Sequence, residues 1–313
     1  MAYGDCLRQG DAWQNTGLQA GPMRLSINIG NFTSPGGPDS IGRSLLDVAR
    51  AADESGIDTV WVGDHLIQAN PYDTTGDDML EAYTALGFLA GRTERVRLGV
   101  MVTAVTFRPP SLLIKAVTSL DVLSGGRAWF GVGAGYNETE ARAMGLPLPP
   151  TAERFERLEE TLRLARQMWS GVEAPFEGVH YRLDHPTNRP NSLSRPHPPI
   201  LVGGAGEKKT LRLVAAYADA CNLFDIPGQG NLLRRKLDVL AGHCQAVGRP
   251  FDAIEKTVSS RLEPGESPAA VAERCAAFAE LGIGHIVMVV DGAWTVEAVE
   301  RLAAAADLVA HHA

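Results

Sequence analysis

The chain has 313 residues, 45% hydrophobic and 21% charged, the composition of a globular protein with one large domain or two modest ones. Its 29 Lys and Arg against 37 Asp and Glu leave a formal net charge of −8, which argues against a general affinity for nucleic acid, whose phosphates call for basic patches. Four widely spaced cysteines, Cys6, Cys221, Cys244 and Cys275, form no C-x-x-C pair and no metal-ligand pattern, and they read as buried or idle thiols of a reducing cytosol. No apolar run matches a membrane span and no charged-then-apolar leader is present, so the expectation is a cytoplasmic protein without a metal.

Residues 1–22 carry Gly, Gln, Asn and Asp without periodicity and read as a loose extension, with a single domain over 23–313. The first strand is predicted over 24–29. A helix follows over 41–55, with Leu45, Leu46, Val48, Ala49 and Ala52 apolar and Gly56 in the stop position. The second strand runs 57–63, the next helix 79–92 and the third strand 96–102. Pro109-Pro110 opens a helix that Gly125-Gly126 closes, the usual asymmetry of helix ends. Strand four covers 128–132. The helix at 151–170 shows a clear stripe of Phe155, Leu158, Leu162, Ala165 and Trp169. Residues 171–198, rich in Pro, Asn, Ser and His, break the rhythm as an inserted loop, of a length at which lids occur. Strands five to eight then fall at 199–203, 219–224, 255–261 and 284–290, with helices at 207–217, 230–247, 268–281 and 295–310.

Eight β-then-α units require parallel strands with the helices wrapped outside. The count fits a (β/α)8 TIM barrel with an insertion before strand five better than a doubly wound sheet. No fixed-length repeat points to a solenoid.

In such a barrel the chemistry sits at the C-terminal strand ends. Val60-Trp61-Val62-Gly63 suits a buried strand and runs straight into Asp64 and His65. Unpaired polar groups inside a strand are costly, so this pair marks the strand's open end. Either Asp64 caps the next segment and His65 is a surface residue, or both face a pocket. Gly131-Val132-Gly133-Ala134-Gly135-Tyr136-Asn137 lacks the third glycine of a dinucleotide fingerprint, because Tyr136 takes its place. Gly203-Gly204-Ala205-Gly206 precedes a helix expected from about Glu207, an arrangement suited to phosphate. Lys208 and Lys209 either join that site or are solvated. Arg108 either steers an acidic group or pairs with a carboxylate, while Trp129 and Trp169 read as core.

These motifs together resemble the bacterial-luciferase-like flavin and deazaflavin oxidoreductases, in particular their coenzyme F420-dependent branch. The resemblance rests on W-V-G-D-H at 61–65, V-T-F-R-P-P at 105–110, T-S-L-D-V-L-S-G-G-R at 118–127, G-V-G-A-G-Y-N at 131–137 and P-P-I-L-V-G-G-A-G-E at 198–207. It implies a flavin-type ring over the barrel mouth, backed by a non-proline cis peptide near Met101-Val102, with Thr103 alongside. Ala134, Gly135 and Tyr136 would line the ribityl chain or phosphate, and Gly203, Gly204 and Ala205 would take the phosphate end. Asp64 and His65 would stand beside the redox-active ring. His65 would exchange a proton with the substrate, and Asp64 would either hold the histidine tautomer or hydrogen-bond the ring. The sugar-phosphate dehydrogenases of the family carry a glutamate where this chain has Tyr136, and an aromatic residue where it has Gln68-Ala69, which argues against glucose 6-phosphate as substrate. The expectation is an F420-dependent oxidoreductase acting on a small imine, activated alkene, carbonyl or alcohol. The alternatives are an FMN-dependent monooxygenase fed by a partner reductase, and a non-catalytic barrel binding a flavin or phosphorylated ligand. The resemblance further implies a homodimer, and the substrate pocket is expected from the mouth loops and the 171–198 insertion.

Overall fold

Alternation along the first strand sets the geometry of the molecule. In β1 (Arg24–Ile29), Leu25, Ile27 and Ile29 are buried in the main apolar core, while Arg24, Ser26 and Asn28 face the other way. The computed structural model describes residues 23–68, 76–226 and 229–312, so the expected extension at 1–22 lies outside the described residues. Around β1 stand β2 (Thr59–Val62), β3 (Arg97–Val100), β4 (Thr103–Ala104), β5 (Phe130–Gly133), β8 (Ile200–Gly203), β9 (Ala220–Phe224), β10 (Glu255–Arg261) and β11 (His285–Val289). A short pair, β6 (Phe176–Glu177) and β7 (Arg182–Leu183), lies apart.

The main sheet is all parallel, in the order β3-β2-β1-β11-β10-β9-β8-β5-β4. A parallel bridge between Leu98 and Ala128 joins its two ends, and β3 and β4 are one strand interrupted at Met101-Val102. The result is the eight-stranded barrel that the sequence predicts. The wall is formed by α1 (Pro38–Glu54), α2 (Ala82–Ala90), α3 (Pro110–Leu123), α4 (Glu138–Met144), α5 (Thr151–Ser170), α6 (Thr210–Tyr217), α7 (Gly230–Val247), α8 (Pro268–Ala279) and α9 (Val296–His312). None among the described residues is long and apolar enough to cross a membrane. Helix α4 is absent from the sequence prediction, because E-T-E-A-R-A-M buries only Glu140 and Ala141 and shows no apolar stripe. Trp129 and Trp169 are core residues, and Cys221, Cys244 and Cys275 are buried free thiols.

The interior of the barrel has two polar ends and an apolar middle. Trp61, Trp129, Leu201, Ala220 and Val287 form a separate inner cluster. Gly99 makes room for it, since a side-chain carbon there would stand 2.6 Å from Trp61 and 2.8 Å from Trp129. At the N-terminal end lies an ion cluster. His285 is fully buried, with Nδ1 2.7 Å from Glu255 and Nε2 2.5 Å from the Ser26 hydroxyl, and Arg24 pairs with both Glu255 and Asp58.

The 171–198 insertion is not at the mouth. It links a helix to the strand that follows, and such connections emerge at the N-terminal face of a barrel. Asp121, near the end of α3, accepts hydrogen bonds from the backbone of Leu193 and Ser194, and Ser194 also reaches the Gly126 carbonyl, just ahead of β5. Glu160 of α5 holds the β6–β7 turn through the N–H groups of Val179, His180 and Tyr181. The expectation of a lid or substrate wall there is therefore corrected: the insertion is tied to α3 and α5 on the far side.

Candidate active site

β2 is completely buried, so its chain leaves the core at Gly63, and the two residues after that glycine part company. Asp64 is 2% exposed, and its carboxylate takes a two-pronged bond from Arg108, Nη1 at 2.6 Å and Nη2 at 2.9 Å. Arg108 also reaches Glu81, which caps α2, and lies over the Tyr83 ring at 4.8 Å. Burial works against the guanidinium charge, but the bonds and charge of Asp64, with Glu81, outweigh it and raise its pKa. Of the two roles open to Arg108, pairing with a carboxylate is the one realised.

His65 turns to Glu140. Its Nδ1 lies 2.7 Å from Glu140 Oε2, and the Leu66 N–H donates to Oε1 at 2.6 Å. The Glu140 side chain is 0% exposed while the imidazole is 25% exposed. Burial pushes the Glu140 carboxyl up, yet the hydrogen bonds from His65 and Leu66 and the His65 charge hold it below its ordinary value. An ionised carboxylate only accepts, so the Nδ1 proton faces Glu140 and Nε2 is left for exchange. Histidine orientation therefore belongs to Glu140 and not to Asp64. Sequence reasoning missed Glu140, whose sole local signal is its place three residues after Asn137. Asn137 caps the Glu140 N–H at 3.0 Å, as at any helix start, while the Glu140 side chain spans 75 positions back to the histidine.

The remaining predicted positions gather on one side of the mouth. The Met101-Val102 peptide is cis. The Val102 side chain rests where β5 and β8 meet, since a side-chain carbon at Gly133 would stand 3.0 Å from it and one at Gly203 2.8 Å. Gly131 is stricter, because a carbon there would lie 1.9 Å from the Val100 carbonyl oxygen. Those glycines thus let β5 and β8 close around the interrupted strand. Thr103 is buried, and its hydroxyl lies 2.9 Å from the Tyr83 hydroxyl, which turns it away from a ligand. Ala134 and Gly135 follow β5, with Gly135 at φ 78° and its carbonyl held by Arg154 at 2.9 Å, while Tyr136 is 72% exposed with its ring 6.2 Å from that of His65.

Gly203, Gly204 and Ala205 end β8, with Gly204 at φ 112°. The helix expected from Glu207 starts at Thr210, and residues 207–209 make a turn. Glu207 leaves the turn for Arg235 and Lys236 of α7, so no carboxylate crowds the glycines. Lys209 lies over the Phe155 ring at 5.3 Å, and Lys208 is exposed.

These residues fit a flavin-type group in three respects. The Thr106 hydroxyl, beside Gly135, and the Asn28 side-chain amide oxygen Oδ1 at the end of β1 are buried without protein partners. The glycines of the β8 loop leave the turn before α6 open to an anion beside Lys208, and the Gly204 N–H already donates to the Asn222 carbonyl at 3.3 Å. The cis peptide and Val102 form a partly exposed apolar floor over the inner cluster.

Residues 23–310 match the profile of the luciferase-like monooxygenase family. The chain belongs to that family. It is similar to the F420-dependent glucose-6-phosphate dehydrogenase of Kineococcus radiotolerans, 32% identical over 76% of this chain and 69% of that protein. The counterpart of the same name from Nakamurella multipartita is 36% identical over 70% of this chain, but the match spans only 62% of that protein. Among solved structures, a monooxygenase from Streptomyces bottropensis shares the fold at a TM-score of 0.76 and 21% identity, over 93% of this chain and all of the other.

Proposed function

We propose that the chain is an F420-dependent oxidoreductase in which His65, held by Glu140, carries the proton that accompanies redox change in a small organic substrate. The observation that carries this reading is the His65–Glu140 pair at the end of β2, beside the cis Met101-Val102 peptide. The relatives named as F420-dependent dehydrogenases support the choice of cofactor.

Met101 and Val102 would back the ring, Ala134, Gly135 and Tyr136 would flank the chain leading from it, and Gly203, Gly204 and Ala205 would take its phosphate. Thr103 contributes through Tyr83, and Asp64 through its bond to Arg108, each fixing the backbone beside the ring. When bound, the deazaflavin supplies hydride exchange with an imine, activated alkene, carbonyl or alcohol. The chain's own part is the proton. With Nδ1–H tied to Glu140, neutral His65 accepts a proton at Nε2 when the substrate is oxidised. In the reverse direction the imidazolium donates from the same atom, and the buried Glu140 carboxylate stabilises its charge.

Separate titrations of the purified protein with F420 and FMN test the cofactor. F420 binding is expected, and FMN binding without F420 binding overturns the reading in favour of a flavin monooxygenase. His65→Ala should retain F420 binding while turnover drops by about 10²–10⁴-fold, the usual worth of a proton-transfer group.

A further inference from the structure

We infer that the substrate side of the mouth receives an uncharged molecule with an apolar body, and not a phosphorylated sugar. This rests on the F420 reading of the same mouth and specifies the substrate class within it.

The wall opposite His65 is apolar. β9 stands four strands from β2 in either direction around the barrel. Its inward face is identified by Ala220 of the inner cluster and by Asn222, whose side chain bonds Thr257 and Ser259 of the neighbouring β10. Phe224, two residues on, rises from that same face at the rim and is 54% exposed, and Ile226 beyond it is 43% exposed. An aromatic ring and a branched aliphatic side chain at the rim of an open barrel are surfaces that an apolar ligand would cover.

Four cations on this side are already matched. Arg261 continues the inward face of Thr257 and Ser259, but its guanidinium is paired with Asp291, just past β11. Arg274 bonds Glu266 and the Arg261 carbonyl. Arg235 and Lys236 are held by Glu207. Among the described residues, Lys208 and Arg234 are exposed without a carboxylate partner, and Lys208 sits beside the glycines given to the cofactor phosphate. A phosphate dianion is held by unpaired cationic donors, commonly Arg forks, and here the forks of Arg261, Arg274 and Arg235 each face a carboxylate. Phosphate would have to displace Asp291 and would meet it as a like charge.

Calorimetric titration tests the inference in two stages. F420 is titrated first, and its failure to bind removes the cofactor reading and this inference together. The F420-loaded protein is then titrated separately with acetophenone and with glucose 6-phosphate. Acetophenone is expected to bind at least about tenfold more tightly, as an aromatic contact and apolar burial predict. Phe224→Ala should weaken acetophenone about three- to tenfold and leave F420 affinity unchanged. Asp291→Asn should unmask Arg261 and strengthen glucose 6-phosphate binding about tenfold in a salt-sensitive way. With F420 bound, tighter binding of glucose 6-phosphate than of acetophenone by the parent chain overturns the inference and leaves the cofactor reading intact. So does acetophenone binding that is undetectable or indifferent to Phe224→Ala.

Discussion

Replacing Glu140 by Gln tests the proton-handling pair most directly. The two side chains are nearly the same size, so the buried site keeps its packing. What changes is charge and hydrogen bonding. The Glu140 carboxylate has one oxygen for the His65 Nδ1–H and one for the Leu66 N–H, at 2.7 and 2.6 Å. Glutamine offers one acceptor oxygen, for which both donors compete, and no charge to offset an imidazolium. A hydrogen bond to a charged group is worth about 1.5–3 kcal/mol, and each 1.4 kcal/mol is tenfold in rate, so kcat should fall about ten- to hundredfold. Steady-state turnover followed at the F420 absorbance gives kcat, and parallel titration gives the cofactor Kd. The variant should keep the parent Kd within about twofold, because Glu140 holds His65 and the Leu66 backbone and bonds none of the residues assigned to the cofactor. A kcat within twofold of the parent would refute the assignment of His65 to Glu140. Loss of F420 binding would show instead that Glu140 shapes the cofactor site.

Arg108→Ala leaves Asp64 buried without its partner, and removal of one member of such a pair costs about 3–5 kcal/mol. Chemical denaturation should show that loss, and Arg108→Lys should recover only part of it, because a lysine cannot form the two-pronged bond. Acid should act on the other end of the barrel. Burial of Glu255 works against its charge, but the bond and charge of His285, then of Arg24, hold its pKa at about 2 against an ordinary 4.5. The unfolded chain binds that proton first, so the contribution is complete above pH 4.5 and is lost as pH falls from 4.5 towards 2. Its size is about 3 kcal/mol at 1.36 kcal/mol per pKa unit. Denaturation midpoints between pH 7 and pH 3 should fall more steeply for the parent than for Glu255→Gln, and parallel slopes would refute the assignment.

The barrel was legible where local pattern decides structure. The Phe155-to-Trp169 stripe marks α5 because one face of a long helix is buried, and Gly125-Gly126 stops α3 because positive φ is easy there. The site was legible only as far as strand ends. Asp64 and His65 announce themselves by following an apolar strand, but their partners Arg108 and Glu140 are 44 and 75 residues away, and no local periodicity links them. The glycines of β5 show the same limit. Gly131 and Gly133 read in sequence only as part of a glycine-rich stretch without a dinucleotide fingerprint, yet their smallness is demanded by Val100 and Val102 on a neighbouring strand. Helix α4 escaped because its one functional burial is a charged residue, which amphipathic patterning counts as surface.

The two ionisable networks of the barrel are separated by its apolar middle. Trp61 and Trp129, with ring centroids 5.5 Å apart, lie with Leu201, Ala220 and Val287 between the Glu255–His285 cluster below and the mouth above. Gly99 is the position that lets both indoles fit. Large buried rings exclude water, and the polar side chains at that level, Asn222, Thr257 and Ser259, bond one another. Acid sensitivity of the fold and pH dependence of turnover should therefore be separable. Glu255→Gln should alter the first and leave the shape of the kcat–pH profile unchanged at pH values where the variant stays folded, while Glu140→Gln should lower kcat itself. A kcat–pH profile that moves with Glu255→Gln would mean that the indole layer does not insulate the mouth, and that the histidine responds to charge across the whole barrel.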